Sequence, residues 1–305
     1  MNTKTWRDRL IDPRSPDRRP RRAAYALPTL FTAGNVYLGF YALLETFQGS
    51  MDMVTVGAAA AHHFQTAAVA IGVAVFLDGL DGRIARMTNT ASEFGREMDS
   101  LADSVTFGIA PAVLAFAWGV QFVDPSTDGV LLEYLRRAGY FLSFLFLLCG
   151  AVRLARFNIQ KNPVPKNPGR PDRKYFVGMP IPSAAAAVAA VVYAAGSEPL
   201  HSWIFSALWL AFVAFLAFLM VSTWRYPSFK DLSLTQPRSR LSIILICALI
   251  YLVVTFSKPV LLVLALAYVA SGIAIRIGGI VRRRFRQQPQ PPPAEPNQAA
   301  EHQIG

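Results

Sequence analysis

The sequence predicts an all-α fold: a polytopic membrane helical bundle of about eight transmembrane helices, with both termini cytoplasmic. Three observations carry this expectation. The chain has 305 residues, 53% of them hydrophobic, and the apolar residues gather into runs that approach the roughly 20 needed to cross a bilayer. The basic residues are sorted to alternate ends of those runs. The segments between the runs are polar and rich in proline, the composition of connections rather than of core.

The elements follow in order. Residues 1–24 hold "DPRSPDRRPRR" and form a basic cytoplasmic arm without enough apolar surface to fold alone. Apolar runs follow at about 25–46, 64–86, 98–120, 138–157, 176–195, 202–223, 241–256 and 259–278. The sixth and eighth are nearly free of polar residues, so their assignment as spans is direct. The second and third carry acids and need a special reason to span. Residues 47–63 are expected to be an outer loop, without Lys or Arg, and residues 158–175 and 224–240 are basic cytoplasmic loops. The tail from 287 to 305 is Pro/Gln-rich and expected to be disordered. One membrane domain, 25–286, lies between the two tails.

Threading the chain through eight spans places 27 of its 30 Lys and Arg residues on one side and leaves only Arg136, Arg137 and Lys258 on the other. That is a strong positive-inside asymmetry, and it sets the cytoplasmic side. The net charge of +11 would also suit nucleic acid, but the basic loops so placed face anionic headgroups instead, and no nucleic-acid partner is expected. The first apolar run follows an Arg-rich stretch and lacks a small-residue cleavage site, so it is expected to be retained as a span. Cys149 and Cys247 each sit inside an apolar run, with no metal-knuckle or disulfide spacing, and are expected to be small buried hydrophobes.

The chemistry concentrates in "DGLDGRIARMTNTASEFGREMDSLAD", residues 78–103. Asp78, Asp81, Gly82 and Ala85 are spaced to share one helical face, as are Gly95, Asp99 and Asp103. With a polar turn between them, the two helices form an antiparallel hairpin whose four carboxylates converge near the cytoplasmic membrane surface. Each Asp at the centre of a membrane helix costs about 2.5–3.5 kcal/mol, so four immersed together would cost roughly 10–14. Arg83, Arg86 and Arg96 lie partly on other faces, and bound divalent cations offset the clustered charge better. Sites built only from carboxylate oxygens suit Mg²⁺, Mn²⁺ or Ca²⁺. Metals so held commonly bind phosphates, and a pair of them can clamp a pyrophosphate. A site at this depth suits a lipid-linked substrate.

The pattern D-x2-D-G-x2-A-R-x8-G-x3-D-x3-D, matched here at Asp78, Asp81, Gly82, Ala85, Arg86, Gly95, Asp99 and Asp103, resembles the signature of the CDP-alcohol phosphatidyltransferases. The stretches "LPTLFTAGNVYLGFYA", "DSLADSVTFGIAPA", "VRLARFN" and "YFVGMPIPSAAAA" are similar to the phosphatidylserine synthase branch of that family, the membrane-embedded bacterial type. The resemblance implies CDP-diacylglycerol as donor, L-serine as acceptor and CMP as leaving group. It implies two divalent ions (Mg²⁺ or Mn²⁺, or else Ca²⁺) on Asp78, Asp81 and Asp99, with Asp103 also near a metal and acting as general base. Gly82 and Arg86, with Ser92 in the turn, would contact the CDP group. Thr32 and Asn35, polar in an apolar helix, would face the nucleotide or phosphate. Arg153 and Arg156 would take the carboxylate of the acceptor or a lipid phosphate. A homodimer in the bacterial cytoplasmic (inner) membrane, with its active site facing the cytoplasm, is likewise implied.

Each feature has a plainer reading. Arg86, Arg153 and Arg156 also suit anchors at span ends. Ser92 also suits a helix cap. Thr32 and Asn35 also suit bonds to neighbouring helices, and Gly82 suits helix packing. His62 and His63 lie away from the acids and are expected to be loop residues. Within the family, glycerol phosphate, inositol phosphate or choline are alternative acceptors. A cation transporter with an aspartate cluster is the reading of another class, but transport favours acids on both sides of the midplane, and these gather at one end.

Overall fold

The computed structural model describes residues 18–55, 57–88, 93–161, 175–196, 198–227 and 240–286. Among the described residues, helical stretches of differing length overlap the apolar runs. Helix α1 (Arg18–Thr55) leads through a 3₁₀ turn (Gly57–Ala60) into α2 (Ala61–Thr88). Next, α3 (Glu93–Asp103), a π-helical segment (Ser104–Ile109) and α4 (Ala110–Gly119) form one continuous rod. After α5 (Gly129–Lys161), a short strand β1 (Tyr175–Val177) precedes α6 (Ile181–Ala194). Helix α7 (Trp203–Val221), strand β2 (Arg225–Pro227), α8 (Arg240–Thr255) and α9 (Ser257–Arg286) complete the order.

Five stretches among the described residues are long and apolar enough to cross a membrane: Ala61–Gly82, Glu97–Gly119, Gly129–Ile159, Trp203–Val221 and Ser257–Gly278. This is an integral membrane protein. Large side chains such as Phe76, Leu208, Val254 and Val263 lie exposed on its flanks, as suits helices whose outer solvent is hydrocarbon.

At 14 residues, α6 is about 21 Å long by its helical rise, short of the roughly 30 Å hydrocarbon core. It is the buried axis of the bundle. Ala184, Ala185, Ala187 and Val188 are fully buried, and these small side chains let neighbouring helices approach closely. Helices α2 and α9 pack on it, α1 lies along α2, and α5 lies along α7. Phe64 and Ile71 of α2, Phe107 and Leu114 of the third rod, Phe146 of α5 and Leu216 of α7 fill the core.

The fifth run is not wholly helical, contrary to expectation. Prolines at 180 and 182 and Gly178, which sits at φ 78°, prevent a continuous helix through 176–195. Residues 175–177 instead pair antiparallel with β2, with Phe176 opposite Tyr226. The backbone between ribbon and helix is irregular but satisfied. Gly178 N donates to Trp224 O at 2.8 Å, and Met179 N donates to Leu219 O at 3.0 Å. Irregular backbone at this depth is tolerated only when protein supplies such partners. A Cβ at Gly178 would lie 2.5 Å from Met220 O, so both conformation and space demand glycine there.

Two other expectations change. The outer loop predicted at 47–63 is helical as far as Thr55: Gly49 is accommodated within α1, where it lets Phe64 of α2 approach, and the helix ends before Gly57 at φ 69°. His62 and His63 therefore lie on the first turn of α2 rather than in a loop. His63 faces Glu45 Oε2 at 2.8 Å and Asp52 Oδ2 at 3.2 Å, tying α2 to α1 at the end remote from the aspartates. Cys247 is exposed on α8 and Cys149 half-buried on α5, so neither is a buried core residue. The tails 1–17 and 287–305 lie outside the described residues.

Candidate functional site at the end of the acidic hairpin

Helix α2 carries the first pair of aspartates within its last three turns, and α3 carries the second pair on its amphipathic face. Asp78 of α2 meets Asp99 and Asp103 of α3, so acids from both pairs come together. One carboxylate oxygen from each of Asp78, Asp99 and Asp103 lies within 4.8 Å of the others, and all three residues are half-buried. Three acids held so close are strongly repulsive in a low-dielectric setting. A cation among them removes that cost, and an all-oxygen donor set fits a hard divalent ion such as Mg²⁺ or Mn²⁺.

Asp81 is not part of this three-acid cluster. It is buried, and its Oδ2 accepts a hydrogen bond from Thr32 Oγ1 at 3.1 Å. Its Oδ1 is buried with no hydrogen-bond partner among the described residues. A buried carboxylate oxygen left in that state carries a large desolvation cost. A bound cation would also satisfy it, so the donor set as a whole fits metal.

Helix α1 supplies the floor on this side. Thr32 and Asn35 are both buried. Thr32 reaches Asp81, as its reading as a helix–helix bond allows. The Asn35 backbone carbonyl accepts from Thr106 Oγ1 at 2.9 Å, while its own side-chain Oδ1 is buried without a partner among the described residues. The contact is close: a Cβ at Gly39 would lie 2.6 Å from Thr106 Oγ1 and 2.7 Å from Thr106 Cα. Gly39 thus lets α1 lie directly on the π-helical segment that follows Asp103. That segment is marked by the Ala110 N–H donating to Val105 O, a five-residue closure. Isolated π turns of this kind often sit at functional positions.

Helix α5 forms the opposite wall. Asn158 Nδ2 donates to Ser100 Oγ at 2.9 Å, fixing α5 against the acid-bearing face of α3. Arg153 is half-buried on the same helix and interacts electrostatically with Asp103 and with Tyr268 of α9. Its guanidinium also lies 5.9 Å from the centre of the Phe157 ring. Arg156 is exposed. Gly82 is exposed too, and a Cβ there would meet nothing within 4 Å, leaving open space beside the acids. Arg86 belongs to α2, but its side chain lies outside the described residues, as does Ser92 altogether.

Two residues at this end escape a reading by spacing. Tyr226 on β2 is fully buried, and burial pushes its hydroxyl up to about 12, so it stays a neutral donor. Tyr268 lies in the middle of an apolar span. Its hydroxyl donates to Pro227 O at 3.4 Å and is hydrogen-bonded by Ser183 of α6. The available signal was a polar aromatic beside Ser271 and Gly272 inside the last hydrophobic run.

In a helical membrane protein, a half-buried acidic cluster of this kind marks a functional site. The family model for CDP-alcohol phosphatidyltransferase matches residues 25–224, and the chain belongs to that family. Helicobacter pylori has a relative named CDP-diacylglycerol–serine O-phosphatidyltransferase that is 35% identical over 241 residues, covering 79% of this chain and 85% of the relative. A Bacillus subtilis protein of the same name is 31% identical over 205 residues, 67% of this chain and 91% of its own length. The archaetidylserine synthase of Methanothermobacter thermautotrophicus is 31% identical, over 66% of this chain and 70% of its own.

Proposed function

We propose that the protein transfers the phosphatidyl group of CDP-diacylglycerol to the hydroxyl of L-serine, giving phosphatidylserine and CMP. The meeting of Asp78, Asp99 and Asp103 at the mouth of the α2–α3 hairpin carries the chemistry. The names of the bacterial and archaeal relatives support serine as the acceptor.

In this reading Asp78, Asp81, Asp99 and Asp103 hold two divalent ions, Mg²⁺ or Mn²⁺. When bound, such ions neutralise charge on the pyrophosphate and stabilise the charge that develops during transfer. The residues of the chain do the rest. Gly82 leaves the cleft open for the CDP group, with Arg86 and Ser92 as further contacts and Asn35 offering from α1 an oxygen that has no partner among the described residues. Asp103 takes the proton of the serine hydroxyl as its oxygen bonds to the phosphorus that carries the lipid. The bond from that phosphorus to the CMP oxygen breaks, and CMP leaves with the electron pair. Arg153 lies beside Asp103 and receives the serine carboxylate in a charge-assisted bond; Arg156 attracts it from the surface.

Charge sorting along the sequence puts the acid-bearing ends of the second and third runs on the side of the basic loops, so the site faces the cytoplasm from the inner membrane. There the chain makes eight spans, the fifth formed by α6 together with the ribbon strand before it, residues 25–286 act as one catalytic unit, and two copies associate as a homodimer. The test is CMP release from CDP-diacylglycerol by purified protein with Mg²⁺ or Mn²⁺. Serine is set against glycerol phosphate, inositol, inositol phosphate and choline. Serine-stimulated release is expected; release with another alcohol alone reassigns the acceptor, and release with none sinks the enzyme reading.

A further inference from the structure

The family match stops at residue 224, yet the polar groups around Arg153 do not. Tyr268 lies on α9, 44 positions beyond that limit in the printed sequence, and its side chain is anchored from three directions. Its hydroxyl donates to Pro227 O on the ribbon and is hydrogen-bonded by Ser183 on α6. Its ring lies 5.5 Å from that of Tyr226, tilted by 35°. Tyr226 in turn seats against Gly272 one turn along α9, where a Cβ would come within 2.2 Å of its ring. A tyrosine in the last span, fixed by the ribbon, by the central helix and by an aromatic neighbour, is held far more firmly than lipid contact requires.

Arg153 of α5 lies within electrostatic reach of it. The guanidinium interacts with both Asp103 and Tyr268, and its Nε is buried with no hydrogen-bond partner among the described residues. A buried arginine donor without an acceptor is costly. An anionic group of the acceptor would satisfy it next to the proposed base. The side-chain line Asp103, Arg153, Tyr268 therefore joins the matched region to the C-terminal helix.

We propose that Tyr268 is a positioning residue that determines acceptor specificity: held by Ser183 and Pro227, it fixes the Arg153 guanidinium to receive the carboxylate of the acceptor beside Asp103. This rests on the serine-transfer reading above. It gives α9 a role in choosing the acceptor while the donor site stays within α1 to α4.

The experiment compares wild type, Tyr268→Phe and Ser183→Ala in CMP release. The acceptors are L-serine and L-serine methyl ester, whose carboxylate is masked. Tyr268→Phe keeps the ring against Tyr226 and deletes only the hydroxyl; Ser183→Ala removes the partner of that hydroxyl and leaves the tyrosine intact. Both should raise the KM for serine by about tenfold, the scale of a charge-linked hydrogen bond. The KM for CDP-diacylglycerol should stay within about twofold, and the preference for serine over its ester should fall by a similar factor of about ten. Tyr251→Phe, an exposed tyrosine on α8, should change none of these. A serine preference that persists in both site variants overturns the inference while leaving serine transfer standing. So does a parallel rise in both KM values, which marks a merely structural role. Absence of serine-dependent release in the wild type overturns both.

Discussion

Replacing Thr32 by valine tests how α1 supports the acidic hairpin. Valine keeps the β-branched shape and removes one hydroxyl, so packing changes little. The loss is the 3.1 Å bond from Thr32 Oγ1 to Asp81 Oδ2. The other oxygen of Asp81 already lacks a partner among the described residues, so the variant leaves a buried carboxylate with neither oxygen satisfied by a described protein group. Hydrogen bonds between membrane helices average about 0.6 kcal/mol and reach about 1.7; bonds to a charged group in general contribute roughly 1.5–3. The burial and charge of Asp81 place this one near the upper membrane value, about 1.5 kcal/mol. For a chain of this size that corresponds to a fall of roughly 3–6 °C in melting temperature. If the same bond also aims Asp81 at a cation, the concentration of Mn²⁺ needed for half-maximal CMP release should rise by about tenfold for each 1.4 kcal/mol. Thermal unfolding in detergent and a Mn²⁺ titration of CMP release measure the two effects, and Thr32→Ser should restore both. Unchanged melting and an unchanged Mn²⁺ requirement in Thr32→Val would refute the idea that this bond orders the acid cluster.

Asp103→Asn should lower serine-dependent turnover by about 10²–10⁴-fold, the range for loss of a general base, while the protein remains monodisperse; undiminished turnover in a stopped assay removes Asp103 from proton transfer. Gly39→Val should cost about 1–3 kcal/mol in thermal stability, the scale of overpacking, because its Cβ would overlap Thr106, including its backbone Cα at 2.7 Å; a wild-type melting curve contradicts that contact. In the α4–α5 connection, outside the spans, the Ser126 N–H donates to Asp124 Oδ1 at 2.8 Å and holds that carboxyl below its ordinary range. A depressed folded value stabilises above the ordinary value near 4, and that contribution is lost as pH falls through the folded value. Asp124→Asn should therefore lower stability slightly at neutral pH, flatten the acid limb of the stability curve and converge on wild type below about pH 4, as seen by melting at stepped pH.

The helices were legible because hydrocarbon leaves few choices for a 20-residue apolar run. The acidic hairpin was legible because i, i+3 and i+4 spacing fixes which side chains share a face. What escaped was set by tertiary contact. Spacing alone put Asp81 with the other acids, whereas Thr32 on α1 takes one of its oxygens. The β ribbon was hidden in an apolar run whose prolines and Gly178 signalled a break but not its partner, which lies some 50 residues on at β2. His63 looked like a loop residue because its partners, Glu45 and Asp52, lie on a helix that continues past the expected membrane edge. Tyr268 offered only a lone hydroxyl in an apolar span, and its neighbours come from α5, α6 and β2.

The π-helical segment at Ser104–Ile109 acts as a rotational offset between two halves of one rod. Removing a residue from it, Val105 for example, would let the hydrogen bonds close as an ordinary α-helix, and each residue of an α-helix accounts for about 100° of turn. Helix α4, keyed into the core by Leu114 and Trp118, would hold its place. The N-terminal half would then swing about its own axis, carrying Asp99 and Asp103 away from Asp78. The angular setting of two of the three clustered acids is thus stored in a single surplus residue a turn deeper in the bilayer, where neither aspartate can be seen from its own sequence neighbours to depend on it.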